Sequence, residues 1–79
     1  MALIRATMPG VFYRGPGPGA EPYVEEGARI EPGQTIALIE VMKTFSEVKA
    51  DTAGTVTTFL LHTGDEVTMG QGIAEVDGA

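Results

Sequence analysis

The strongest constraint in this sequence is that it is written nearly twice. Ile4-Arg5-Ala6-Thr7-Met8-Pro9-Gly10 aligns with Val48-Lys49-Ala50-Asp51-Thr52-Ala53-Gly54, matching the apolar, basic, alanine and glycine positions. Further along, Gly27, Gly33, Gln34, Ile36 and Ala37 meet Gly64, Gly70, Gln71, Ile73 and Ala74. Ile30, Ile39 and Glu40 meet Val67, Val76 and Asp77 in the same alignment. Neither half is long enough to bury an apolar face alone, so the two must pack on each other around one core. The expectation is a single domain over 1–79, with two sheets related by an approximate twofold axis.

Both halves read as β. Short runs rich in Val, Ile, Thr, Phe and Tyr, bounded by turn residues, predict strands at 3–6, 11–14, 36–41, 45–50, 55–61 and 73–77. No window carries an apolar stripe at helical spacing over three turns. The eleven glycines and five prolines act as punctuation. In Glu31-Pro32-Gly33-Gln34, proline presets φ at the second turn position and glycine takes the positive φ at the third. The predicted fold class is all-β: seven or eight short strands in a flattened β-barrel or sandwich of two quasi-symmetric antiparallel sheets. The first half is about seven residues longer than the second between Gly10 and Gly27. That excess predicts a thumb-like insertion at about 15–22, in Gly15-Pro16-Gly17-Pro18-Gly19-Ala20-Glu21-Pro22.

Composition narrows the function classes. The chain has 79 residues, a formal charge of −6 and no cysteine. A domain this short buries a small core and leaves little room for a deep catalytic cleft. Without cysteine there is no disulfide framework, no thiolate zinc site and no cysteine nucleophile. Eleven acidic against five basic residues repel nucleic-acid phosphates and anionic lipid, so neither is expected as a partner. The apolar run at 36–39 is far shorter than the ~20 residues a membrane span needs. The first ten residues contain Arg5 and Pro9 and no apolar signal core, which points to the cytoplasm. His62 stands alone and the acids form no spaced ligand cluster, so no metal site and no catalytic residue is expected.

Only two lysines occur, and the repeat separates them. Lys49 is the counterpart of Arg5, which reads as a basic, solvated strand position. Lys43 has no counterpart, because its repeat partner would fall just beyond Ala79. It sits where the first half crosses to the second, in a tight hairpin between two predicted strands. Met42-Lys43 lacks the glycine, asparagine or aspartate such a turn prefers, which suggests that side-chain identity outweighs turn propensity there. By the same symmetry, the chain termini belong at the end of the domain opposite Lys43. Glu40 repeats as Asp77 and reads as a solvated acid in both halves. Glu25-Glu26 reads as a charged loop before Gly27, and His62 as a surface residue at a strand end.

Glu40-Val41-Met42-Lys43, inside a duplicated all-β domain, resembles the biotinyl attachment domain of biotin-dependent carboxylases, whose pattern is Glu-Ala-Met-Lys-Met. Glu40, Met42 and Lys43 match it; Val41 replaces alanine and Thr44 replaces the second methionine. Val11-Phe12-Tyr13-Arg14, a Pro-x-Pro loop and Tyr23 resemble the segment leading into the thumb of the acetyl-CoA carboxylase carrier subunit. The resemblance covers essentially the whole chain. It implies biotin joined by an amide bond to Lys43, with Glu40, Met42 and Thr44 facing a biotin protein ligase. It also implies a non-catalytic carrier, taking carboxylate from a biotin carboxylase to a carboxyltransferase. The thumb would be Pro16, Gly17, Pro18 and Gly19, whose glycines offer the cofactor backbone groups rather than side chains. That family usually places an assembly region and linker before this domain, so a chain starting at Met1 reads as a free-standing carrier or an excised piece. Two alternatives remain: a lipoyl carrier, although such domains usually have aspartate where Met42 stands, and an unmodified domain of this fold used for assembly.

Overall fold

The computed structural model describes residues 2–78, so Met1 and Ala79, the ends of the expected domain, lie outside the described residues. Eight strands follow in order: β1 (Ala2–Arg5), β2 (Gly10–Tyr13), β3 (Arg29–Ile30), β4 (Thr35–Val41), β5 (Thr44–Lys49), β6 (Gly54–Phe59), β7 (Glu66–Val67) and β8 (Gly72–Asp77). They form two four-stranded antiparallel sheets, ordered β1-β8-β6-β3 and β5-β4-β2-β7. The all-β expectation holds. All six long strands begin one residue earlier than the apolar runs, because the preceding residue, such as Gly10, Thr44 or Gly54, already joins the ladder. β6 ends at Phe59 instead of Leu61, because the chain bends at Leu60 and Leu61. The two-residue strands β3 and β7 were too short to show a period.

The repeat is reproduced pair by pair. Ala37↔Val48 in β4–β5 corresponds to Ile4↔Ala74 in β1–β8, and Thr35↔Lys49 to Arg5↔Gly72. Each ladder carries an irregularity at the same place, leaving Ile36 and Ile73 as extra residues of matching β-bulges. A bulge lets two consecutive side chains face one side, and Ile36-Ala37 and Ile73-Ala74 are all fully buried. The halves are nevertheless interleaved. Each sheet takes two strands from each half, so a half is not a sheet.

The core between the sheets takes the inward side chains of the strands, and in β4 the whole run Ile36–Ile39 is buried. Phe12, Ile30, Ile36, Ile39, Val56, Ile73 and Val76 are its largest fully buried side chains. Among the described residues no polar or charged residue is buried. Phe12 and Phe59 approach with ring centroids 6.5 Å apart, tilted at 47°.

Strand direction sets the two poles of the molecule. β5 runs from Thr44, beside the hairpin, to Lys49, and then crosses to Gly54 in the other sheet. There Thr55 pairs with Asp77 at the end of β8, and Ala2 pairs with Val76. The described ends of the chain therefore lie at the pole opposite Lys43, with six residues of β5 between them, about 20 Å at the rise of a strand.

Candidate functional site

The β4–β5 hairpin is closed by the pair Val41↔Thr44, leaving Met42-Lys43 as a two-residue loop. Both residues have positive φ, 51° and 66°. Positive φ at both central positions is the signature of a type I′ turn, whose twist matches that of the flanking strands. The left-handed region costs an L-residue roughly 1–2 kcal/mol, so the strands hold Met42 and Lys43 where neither would settle alone. Among the described residues, these two alone depart from glycine at positive φ.

The space around the stem is tight. A Cβ on Gly10, the first residue of β2, would stand 2.5 Å from the Glu40 carbonyl oxygen and 2.6 Å from Ile39 Cγ2. Gly10 is thus required for β2 to run flush against the hairpin's first strand.

Lys43 is exposed. The two ion pairs among the described residues, Arg29–Glu31 at 3.2 Å and Lys49–Glu47 at 3.6 Å, leave its amine out. Lys49 is thus the solvated strand position that the repeat suggested. Met42 is 92% exposed, so it makes no buried apolar contact within the hairpin. Thr44 is exposed beside it. A primary amine at the tip of a rigid turn suits a covalently carried group, since attachment there buries no charge.

Glu40 is more than a solvated acid. Its carboxylate accepts a hydrogen bond from the Tyr13 hydroxyl at 2.9 Å. The bond to Glu40, followed by partial desolvation, raises the Tyr13 phenol above its ordinary value of 10.0. The Tyr13 ring lies 6.0 Å from that of Phe45, tilted at 53°, and Phe45 is the β5 partner of Glu40. Tyr13, Glu40 and Phe45 therefore tie three strands together just below the turn. Phe45 was not recognisable as part of the site. Its signal was the register, since a two-residue loop after Val41 puts residue 45 opposite residue 40.

The extra segment leaves β2 at Arg14 and returns at Tyr23, whose N–H donates to the Arg14 carbonyl at 2.9 Å. Its tip, Gly17-Pro18-Gly19-Ala20, is closed by the Ala20 N–H donating to the Gly17 carbonyl at 3.2 Å, with Gly19 at φ 76°. Proline second and a positive-φ glycine third make this a type II turn. Pro16, Gly17, Pro18 and Gly19 thus form a self-closed loop without a polar side chain. Arg14 holds its base: the guanidinium carbon lies 4.2 Å over the Phe59 ring, and Nη2 donates to the Val24 carbonyl at 3.3 Å.

Glu26 also departs from expectation. Its carboxylate accepts from the Phe59 N–H at 2.9 Å and from the Thr58 hydroxyl at 3.2 Å. The Phe59 bond is the leading cause that lowers its pKa below 4.5. This acid fastens the loop before Gly27 to β6. His62 is exposed in a turn, where its own N–H donates to Asp65 at 2.8 Å. Among the described residues there is no grouping of three or more metal-binding side chains, no pocket, and no helix long and apolar enough to cross a membrane.

Residues 2–76 match the biotin/lipoyl family described as "Biotin-requiring enzyme". The chain belongs to the biotin/lipoyl attachment family. It is 40% identical over 76 residues to the biotin carboxyl carrier protein of acetyl-CoA carboxylase from Nostoc, covering 96% of this chain and 42% of that relative. The carrier protein of the same name from Haemophilus influenzae is 38% identical, over 82% of this chain and 42% of its own length. The chloroplastic carrier protein 2 of Arabidopsis thaliana is 38% identical, over 84% of this chain and 26% of its own. The chain spans less than half the length of these biotin/lipoyl relatives.

Proposed function

We propose that this biotin/lipoyl domain carries biotin, amide-linked to Lys43, as the carboxyl carrier of a biotin-dependent carboxylase of the acetyl-CoA carboxylase type. The observation that carries the reading is the presentation of Lys43. Among the described residues it has no ion-pair partner, and it stands at the tip of a type I′ hairpin, in the Glu40-Val41-Met42-Lys43 setting, at the pole away from the described chain ends. Relatives that carry the carrier-protein name support it. Bound biotin supplies an acceptor for carboxylate at a biotin carboxylase and a donor at a carboxyltransferase.

The chain's own residues position and present. The hairpin holds Lys43 at its exposed tip, away from the described ends of the chain. Tethering raises the local concentration of the carried group at both enzymes, so neither needs to bind the domain tightly. The domain is then a carrier and contributes no catalytic residue. Glu40, the fully accessible Met42, and Thr44 are the side chains a biotin protein ligase meets around Lys43. The thumb of Pro16, Gly17, Pro18 and Gly19 has only backbone groups to offer a carried ring. We place this work in the cytoplasm.

Intact mass of the protein from biotin-supplied cells with an active ligase tests the proposal. A gain of one biotin, lost in Lys43→Arg and kept in Lys49→Arg, is the expected result. An unmodified chain, or a lipoyl adduct on Lys43, overturns it.

A further inference from the structure

Comparing the two halves exposes one interaction that the repeat does not share. Glu40 and Asp77 are counterparts, as are the strands they end, β4 and β8. Around Glu40, the Tyr13 hydroxyl donates to the carboxylate at 2.9 Å and the Tyr13 ring leans on Phe45. Around Asp77 the corresponding strand, β6, carries Thr57 and Thr58 instead. The register shifts between Val56 and Thr58, leaving Thr57 as the extra residue. Thr57 donates to the Glu75 carbonyl at 3.2 Å and Thr58 to Glu26 at 3.2 Å. Asp77 accepts from the N–H of Gly78 at 2.9 Å. Otherwise the ladders agree pair by pair, so the Tyr13 contact belongs to the Lys43 pole alone.

That pole is also where the backbone is least comfortable, with two non-glycine residues at positive φ. Such a turn persists only when its surroundings over-determine it. Met42, Lys43 and Thr44 are exposed and Val41 is only partly covered, so the turn receives little packing. Among the described residues, the side-chain hydrogen bond nearest the turn joins Tyr13 to Glu40, with Phe45 against the Tyr13 ring.

We propose that Tyr13 is a positioning residue for modification at Lys43: its hydroxyl and ring lock the Glu40–Phe45 pair, keeping the type I′ turn in the arrangement a ligase accepts. This rests on the reading of Lys43 as the modified residue. Tyr13 acts through Glu40 and Phe45, the residues it contacts. The same placement gives Glu40 a defined task, since its carboxylate is engaged by the β2 hydroxyl and turned along the sheet.

A hairpin that samples the accepted arrangement less often raises the apparent dissociation constant by the lost fraction. The test is steady-state biotinylation of purified apo domain by a biotin protein ligase with biotin and ATP. Tyr13→Phe keeps the ring and loses the donor, and should raise KM about three- to tenfold, the scale of one net hydrogen bond, with kcat unchanged. Glu40→Ala removes both the acceptor of that bond and a side chain the ligase meets, and should raise KM at least as much as Tyr13→Phe. Adding Tyr13→Phe to Glu40→Ala should change nothing further. Thr57→Val, which removes a hydroxyl bond on β6, should leave the kinetics untouched.

A Tyr13→Phe domain with wild-type KM, while Lys43→Arg abolishes labelling, overturns the positioning role and leaves the carrier reading standing. Absence of labelling in the wild type strikes the carrier reading instead. Amide hydrogen exchange then still tests the lock: Tyr13→Phe should speed exchange across residues 40–45 and spare the Ala2–Val76 pairing. Equal exchange in both proteins overturns the lock.

Discussion

The Lys43 pole and the terminal pole are built from the same ladder, yet only one of them ends in a closed turn. At both, a bulged isoleucine enters the core, and equivalent pairs bring the strands together. They differ beyond the last shared pair. One continues through Met42 and Lys43 in the left-handed region, braced by Tyr13, Glu40 and Phe45. The other parts into the two described ends of the chain, and its acid caps the next residue. The contrast teaches that the scaffold is generic to both halves. What distinguishes the site is the side chains added at one end.

If the halves share one core, equivalent deletions in it must cost the same. Ile36→Ala and Ile73→Ala, both at fully buried bulge positions, should each lower stability by about 2–5 kcal/mol. Urea denaturation checks this, and a gap of several kcal/mol between them would break the equivalence of the two sheets. Gly10→Ala should follow, at about 1–3 kcal/mol, since a side chain there meets the Glu40 carbonyl and φ is 156°. Its nuclear magnetic resonance shifts should change most along β4 next to Glu40, sparing the terminal pole. Met42→Asn should act in the opposite direction. Asparagine tolerates the left-handed region, so stability should rise by roughly 0.5 kcal/mol, read as a higher denaturation midpoint. No gain would mean that the turn is less strained than its φ values indicate.

The smallest effects are in pH dependence, and they fall on opposite limbs. The Glu26 pKa is lowered in the folded state from 4.5. Its contribution is present above that value and is lost as pH falls through the lowered one. Glu26→Gln should therefore flatten the acid limb of the stability profile. The Tyr13 pKa is raised from 10.0, so its contribution is present below that value and is lost as pH rises through the raised one. Tyr13→Phe should flatten the alkaline limb only. Denaturation midpoints measured across both limbs check the pair, and a variant that alters the wrong limb would sink its assignment.

Much of this was legible in the chain. Short β-branched and aromatic runs such as 36–41 and 73–77, bounded by turn residues, made the strands visible. The repeat singled out Lys43 and placed the ends of the chain opposite it. The motif around Lys43 could be read because the turn is local. Less was legible where side chains meet across the sheet. Glu40 looked like a surface acid because its partner, Tyr13, lies 27 residues away. Glu26 looked like loop charge because Phe59 lies 33 residues away. Neither distance leaves a period or a spacing to read.

The sequence by itself determined the duplication, the all-β class, the approximate place of each long strand and the lysine at the junction. All of these follow from local periodicity and from the repeat. Only the tertiary structure decided that each sheet draws two strands from each half, because alternation says which way a side chain points and nothing about which strand pairs with it. It also decided that Tyr13, Glu40 and Phe45 brace one pole alone. That depends on a tyrosine on β2 reaching a glutamate on β4 across the sheet, where the equivalent position on β6 holds Thr57.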